Sequence, residues 1–291
     1  MRRSERLIEW ALAASAYASI FVLAGIFILL LWQGAQAFKE ISIFEFVTSA
    51  RWDPTSPEKA GYGIISMVFS TFLVSLGAMI ITIPLGVGVA AYLSEFADYR
   101  VRELLKPAIE VLASVPSVVV GFLGVAVIGP WIARTFNIPN GLNALNGSIL
   151  LSVMCLPTVV SLSEDAFRAV PQEYRQGSLA LGANSWETLI GVTLPGAAPG
   201  ILAAVMLSLG RAIGETMTVL MACGNAPAFP TDFLAAVRTM TATIAIELGE
   251  VPQGTTHFYA LFAVGFALFI LSFAVNLVAD YVLHRYQGRR R

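Results

Sequence analysis

The sequence predicts an all-α integral membrane protein with six transmembrane helices. Three observations carry that reading. The 291 residues are 57% hydrophobic and only 13% charged, with a mean hydropathy of +0.74, whereas soluble domains carry about 25% charged residues. Six apolar runs, roughly 10–32, 64–93, 111–133, 147–163, 197–224 and 258–283, approach the span of about 20 residues that a bilayer requires. The basic residues also alternate between connections as the positive-inside rule demands. With the N-terminus inside, the inner segments hold Arg2, Arg3, Arg6, Arg100, Arg102, Lys106, Arg168, Arg175, Arg285, Arg289, Arg290 and Arg291. The outer segments hold only Lys39, Arg51, Lys59, Arg134 and Arg238. Both termini are therefore expected in the cytoplasm.

Taken in order, the first run follows three arginines and ends before Ala35-Gln36-Ala37, which imitates a signal-peptidase site. A signal core runs only about 7–15 residues, so the uncharged stretch from Trp10 to Trp32 reads as a retained first helix. Residues 33–63 form a polar outer loop. In the second run, Pro84-Leu-Gly-Val-Gly88 is expected to end or bend the helix near one face. Pro116 and Pro157 fall inside the third and fourth runs, where each removes a backbone hydrogen bond and kinks or breaks the helix. The organisation expected is an N-terminal helix with its outer loop over 1–60, then a five-helix core over 61–291. The longest inner connection of that core covers about 164–196.

The fifth run contains the most informative feature of the chain. Leu207-Ser-Leu-Gly-Arg-Ala-Ile-Gly-Glu-Thr-Met217 places Arg211 and Glu215 in an otherwise uncharged segment. A charge at the bilayer centre costs about 2.5–3.5 kcal/mol on insertion scales. Four residues apart on one helix, the two would share a face and partly neutralise each other. A pathway or gate for a solute is one reading, and a buried strut that fixes helix register is the other. Gly210 and Gly214 would let a neighbouring helix approach closely.

The inner connection reads as two short helices. Pro171 can open the first, Gly182 can stop it, and Asn184 or Ser185 can cap the second with Glu187 in its first turn. Arg238 lies in the last outer loop, where it could meet solute, touch a partner or simply be solvated. His257 and His284, at span edges, read as interface anchors. Cys155 and Cys223 are isolated in apolar runs and read as packing residues, since two separated thiols make neither a disulfide framework nor a zinc site. No lysine sits in a Gly-x-x-x-x-Gly-Lys setting, so the chain carries no such nucleotide-binding loop. No nucleophile or metal constellation is present, which argues against an enzyme. A net charge of −1 gives no electrostatic case for nucleic acid.

The inner connection resembles the loop of bacterial ATP-binding-cassette importer permeases, of the form Glu-Ala-Ala, three residues, Gly, nine residues, Ile-x-Leu-Pro. Here Gln176-Gly177-Ser178 is followed by Gly182 and then by Val192-Thr193-Leu194-Pro195. The glycine, the Leu-Pro and the spacing match, while Gln176 replaces the acidic residue. Leu112-Ala-Ser-Val-Pro-Ser-Val-Val-Val-Gly-Phe122, Gly210 to Met221 with Gly224-Asn-Ala-Pro227, and Arg238 to Gly249 are similar to the phosphate-specific importer permeases of the PstC type. That resemblance runs from about residue 60 to the C-terminus.

It implies a type I importer permease core in the bacterial inner membrane, moving inorganic phosphate inward. It further implies a second, PstA-like permease beside this one, two ATPase subunits gripping the inner loops, and an extracytoplasmic phosphate-binding protein docking outside. ATP would be used by the ATPase, and this chain would bind no cofactor of its own. Gln176, Gly177, Ser178, Gly182, Leu194 and Pro195 would form the ATPase-coupling loop, with Arg211, Glu215 and Arg238 along the phosphate path. A permease for another oxyanion, such as molybdate or sulfate, and a self-sufficient secondary transporter remain as alternative readings.

Overall fold

The computed structural model describes residues 3–57 and 59–288, with side chains placed for 8–57 and 59–281. Arg2, Arg289, Arg290 and Arg291 of the charge bias, and the side chains of Arg3, Arg6, His284 and Arg285, lie outside the described residues. Below, the end that the charge bias assigns to the cytoplasm is called inner and the opposite end outer.

The chain opens with α1 (Arg3–Ala37), a short α2 (Ile43–Thr48) and a two-stranded hairpin of β1 (Trp52–Asp53) and β2 (Gly61–Tyr62). In the hairpin Trp52 lies opposite Tyr62. Helix α3 (Ile65–Glu95) returns to the inner end, where α4 (Tyr99–Ala113) follows. Helices α5 (Ser117–Leu123) and α6 (Gly129–Phe136) are joined by a π-turn at Gly124–Ile128. Helix α7 (Ala144–Arg168) leads inward to α8 (Gln172–Ala180) and α9 (Ser185–Thr188). A second π-turn, Leu189–Thr193, runs α9 into α10 (Leu194–Gly214), and α11 (Met217–Ala222), α12 (Met240–Glu247) and α13 (Thr256–Gly288) complete the fold.

Among the described residues, six runs are long and apolar enough to cross a membrane: Ile8–Ala37, Ile65–Glu95, Ser117–Phe136, Ala144–Arg168, Ser185–Gly214 and Thr256–Tyr281. The number agrees with the sequence, but two runs differ from expectation. The third is not 111–133. Helix α4 ends at Ala113, and Pro116 stands in extended backbone as the N-cap of α5. Proline cannot donate the bond that would have continued α4, and it disfavours helical backbone in the residue before it. The fifth is not 197–224. It starts earlier, at Ser185, and stops at Gly214. Pro84 and Pro157, by contrast, break nothing: α3 runs on to Glu95 and α7 to Arg168.

Helices α3 and α7 form the most extensive pair, α10 packs on α7, α3 and α13, and α1 packs on α13. The α3–α7 contact rests on two glycines. A Cβ on Gly77 would sit 2.5 Å from Ser148 Oγ, and one on Gly86 would sit 2.8 Å from Val159 Cγ1. Around this seam lie buried Val74, Ala78, Leu151, Cys155, Ala212 and Cys223, so both cysteines are packing residues as expected. At the outer end, Phe46 and Trp52 share one apolar cluster with Met67, Met240 and Leu261. The outer segment is therefore packed against the core helices. Along α1 none of the apolar window is buried, so its surface is left for lipid or another subunit.

Replacing Gly77 by valine should force α3 from α7 at a cost of about 1–3 kcal/mol, the usual penalty for overpacking. Thermal melting of the detergent-purified protein should fall accordingly, whereas an unchanged melting point would show that the seam can relax.

Candidate functional site

The expected single helix through Arg211 and Glu215 is interrupted. Helix α10 ends at Gly214, and Glu215 stands in extended backbone at φ −66° and ψ 133° before α11 begins at Met217. Irregular backbone at membrane depth is tolerated only where protein or a wet cavity satisfies it, and here hydroxyls do so. Thr241 donates to the Glu215 carbonyl at 2.8 Å, and Thr216 donates to the Gly214 carbonyl at 3.3 Å. Thr218 Oγ1 donates to the Ser117 carbonyl at 3.1 Å, joining this break to the one beside Pro116. Two half-helices, α5 and α11, thus meet at their starts.

The break separates the two charges. Among the described residues no carboxylate comes within ion-pair distance of Arg211. The shared helix face is lost because Glu215 lies past the helix end. Arg211 Nη1 instead donates to Thr158 Oγ1 at 3.3 Å. Glu215 Oε1 accepts, at 3.5 Å, from the Thr218 N–H in the first turn of α11, where a negative charge suits the helix dipole. Thr158 lies about 21 Å along α7 from Ala144 and about 15 Å from Arg168, at about 1.5 Å per residue, so Arg211 sits near mid-membrane. Its side chain is exposed on the surface of this chain. Close by, Ser208 is fully buried, and its carbonyl lies 3.8 Å from Cys155 Sγ.

At the inner end the predicted knob is present, with a different boundary. Helix α7 continues to Arg168, so the excursion covers 169–184 rather than 164–196. Gly182, at φ +92°, ends α8 in left-handed backbone, which glycine adopts without penalty. Asn184 is the cap: its side chain accepts from Glu187 N at 2.9 Å, while Glu187 Oε2 accepts from Asn184 N at 2.8 Å. The second short helix is not separate, because α9 passes through the π-turn and past Leu194 and Pro195 into α10. Ser178 and Thr188 hydroxyls, 3.0 Å apart, join α8 to α9. Gln176 and Gly177 face outward from that contact, and a Cβ on Gly177 would meet nothing in this chain. Leu181 is 92% exposed and Trp186 61%. Both apolar side chains project from the knob.

At the outer end Arg238 is not in an open loop. Its Nη1 pairs with Glu247 Oε1 at 2.7 Å, and its Nε donates to the Asn225 carbonyl at 2.9 Å. Glu247 also accepts from Trp52 Nε1 at 3.0 Å and contacts His257 Nε2 at 2.8 Å. This cluster lines a cavity of about 570 Å³ with Asp53, Pro227 and Glu250. It ties the β1–β2 hairpin to α12 and places His257 in an ion cluster. The sequence reading missed Glu247 and Trp52 as partners, because they lie far apart in the chain and no periodicity relates them.

It also missed Glu164, which is 1% exposed and receives Arg102 at 2.8 Å, Arg168 at 2.7 Å and Lys106 at 3.4 Å. Only the i,i+4 spacing of Glu164 and Arg168 gave a signal.

Comparison with solved structures gives the class. The fold is similar to that of a bacterial ABC transporter involved in the import of the acidic polysaccharide alginate, with a TM-score of 0.63 over 98% of this chain and 99% of that one at 18% identity. It is also similar to the MetNI methionine ABC transporter in inward-facing conformations, with a TM-score of 0.58 over 77% of this chain and 94% of that one at 19% identity. The architecture is that of a type I ABC importer permease. The family profile for the binding-protein-dependent transport system inner membrane component matches residues 82–288, and the chain belongs to that family. It is therefore a multi-pass membrane transport subunit.

Among curated relatives, the probable ABC transporter permease protein YqgH of Bacillus subtilis is 36% identical over 87% of this chain and 82% of its own length. The phosphate transport system permease protein PstC of Mesorhizobium japonicum is 32% identical over 95% and 89%. PstC 1 of Mycobacterium tuberculosis is 34% identical over 82% and 81%.

Glu164→Gln should destabilise the protein by about 1–3 kcal/mol, the usual cost of unpairing buried polar groups, moderated because its three cations are partly wet. The check is a lower melting temperature in detergent.

Proposed function

We propose that this chain is the membrane-spanning permease subunit of an ATP-driven importer of inorganic phosphate. The observation that carries the reading is Arg211: a guanidinium near mid-membrane, without a carboxylate partner among the described residues, beside a broken helix and exposed on this chain's surface. Left against lipid it would cost several kcal/mol. A hydrated path shared with a second, PstA-like permease removes that cost. Guanidinium remains charged and presents a planar fork suited to a tetrahedral oxyanion. Thr158 holds one nitrogen and leaves the others to the ion, and a single cation attracts the anion without trapping it. Glu215, at the break, limits how tightly the anion binds. Arg238, held by Glu247 and Asn225, orders the outer mouth of the path.

The phosphate assignment rests on the relatives named PstC and on the resemblance of the Arg-Ala-Ile-Gly-Glu-Thr segment to phosphate-specific importer permeases. One structural neighbour is an alginate ABC transporter in complex with its periplasmic protein, which supports an extracytoplasmic phosphate-binding protein docking at the outer end here. At the inner end two ATPase subunits would grip the knobs of the two permeases, using Leu181 and Trp186 as apolar contacts and Gly177 as a point of close approach. ATP is hydrolysed there, and this chain holds no cofactor. The residence expected is the bacterial inner membrane. Because α9 and α10 form one helical run, displacement of the knob reaches Arg211 about 39 Å away, at about 1.5 Å per residue.

Arg211→Ala should reduce ATP-dependent phosphate uptake at least about tenfold, equivalent to about 1.4 kcal/mol, while the assembly still copurifies. Normal uptake by that variant would reject the path. Unlabelled molybdate or sulfate that competes as well as phosphate would favour the other-oxyanion reading. Leu181→Asp should leave the melting temperature unchanged, because the side chain touches little in this chain, yet remove the ATPase from the purified complex.

A further inference from the structure

A different arginine joins the knob to the membrane helices. Arg175 lies on α8, one residue before the matched loop motif. Its Nη2 pairs with Glu95 Oε1 at 3.0 Å and donates to the Phe167 carbonyl at 2.5 Å. Glu95 is the last residue of α3, and Phe167 is a fully buried residue of α7. The pair is largely enclosed, at 19% and 12% exposure, so water screens it less than a surface pair. Among the described residues it is the one ion pair between the knob and α3. The Phe96–Trp186 ring contact, with centroids 6.5 Å apart, is the aromatic link nearby.

The three membrane helices that meet the knob are connected to it differently. Helix α10 is continuous with α9, so it follows the knob by covalent structure. Helix α7 reaches α8 through Ala169, a buried Val170 and Pro171, a short connector. Helix α3 has no chain connection to α8. Yet α3 and α7 form the seam of the bundle, and Thr158 on α7 holds Arg211. If only α10 moved, Arg211 would leave Thr158. One guanidinium grips α3 and α7 at once, so all three elements can be carried together. The Arg175 Nε–H is buried without a hydrogen-bond partner among the described residues, which leaves a donor for a second acceptor when the elements shift.

We infer that Arg175 is the positioning residue that makes α3 and α7 follow the α8 knob, coupling ATP hydrolysis to opening of the path. This rests on the permease reading above. The test uses the complete importer in proteoliposomes, with phosphate imported per ATP hydrolysed as the readout. Arg175→Ala should raise ATP use per phosphate at least about fivefold, the lower end of ordinary coupling factors, while the ATPase copurifies at wild-type yield. Glu95→Gln should act in the same direction, and Arg175→Lys should retain part of the coupling. Exchanging the charges, with Arg175→Glu and Glu95→Arg together, remakes the pair to α3 but not the bond to the Phe167 carbonyl, and should recover only part of the coupling. A wild-type ratio in Arg175→Ala overturns the inference. Should that variant fail to assemble, a wild-type ratio in Glu95→Gln overturns it instead. A wild-type importer that moves no phosphate with ATP would defeat the permease reading itself, a distinct outcome.

Discussion

The rest of the structure depends on one constraint: within a bilayer every backbone N–H and C=O must find its partner inside the protein. The six crossings obey it with helical backbone between their ends. The chain leaves helical geometry at Pro116, just before the third, and again at Glu215, just after the fifth, and each departure interrupts the helical hydrogen-bond ladder at a place lipid cannot satisfy. Threonine hydroxyls supply the missing donors from neighbouring segments: Thr218 to Ser117, and Thr241 to Glu215. The breaks are therefore mutually supported. Helix α12 is buried behind the second break rather than lying in a surface loop, because Thr241 on it is one of the donors.

That arrangement explains why the two charges of the fifth run are apart. On an unbroken helix they would be neighbours, and neutralisation would remove most of the cost of burying either. The break trades that neutralisation for a cation held by one neutral hydroxyl. For stability alone this is a poor exchange. On the proposed path it would leave one attractive centre with a carboxylate nearby, the balance between attraction and release that a conducting path needs. The stability argument and the transport argument thus point in opposite directions, and the geometry follows the second.

Much of this was legible in the residues. Hydropathy counted the crossings, since length and apolarity are properties of single segments. Gly182, Asn184 and Glu187 gave the knob because capping is chemistry within a few residues. Pro116 gave its break, but Pro84, exposed on α3, and Pro157, buried on α7, did not. The break at Glu215 carries no proline, and Gly214 was read as a packing residue. Its cause is tertiary, in the hydroxyls of α11 and α12. The same holds for Glu247, which gathers Trp52, Arg238 and His257 from three separate segments, and for Glu95 with Arg175. Pairings across the fold leave no periodic trace in one sequence.

The inner end shows how these levels combine. A knob that only presented an apolar surface would dock a partner without moving anything. Here the surface carries exposed Leu181 and Trp186, while its opposite side is fixed to the bundle by three unlike connections: helical continuity into α10, a short extended connector from α7, and a charge pair to α3. The continuous helix is the stiff element, and the π-turn at Leu189–Thr193 is its one irregularity. Such turns are frequent at functional sites. It lies between the docking surface and the first membrane turn, where Leu189 joins Ala90, Phe167 and Ala197 in one buried cluster. In the coupling inferred above, a displacement entering at Leu181 would pass through that cluster before it reached Arg211. The apolar cluster would resist separation without fixing direction, whereas the Arg175–Glu95 pair would fix direction. Together they would turn a push on a surface leucine into a shift of the seam.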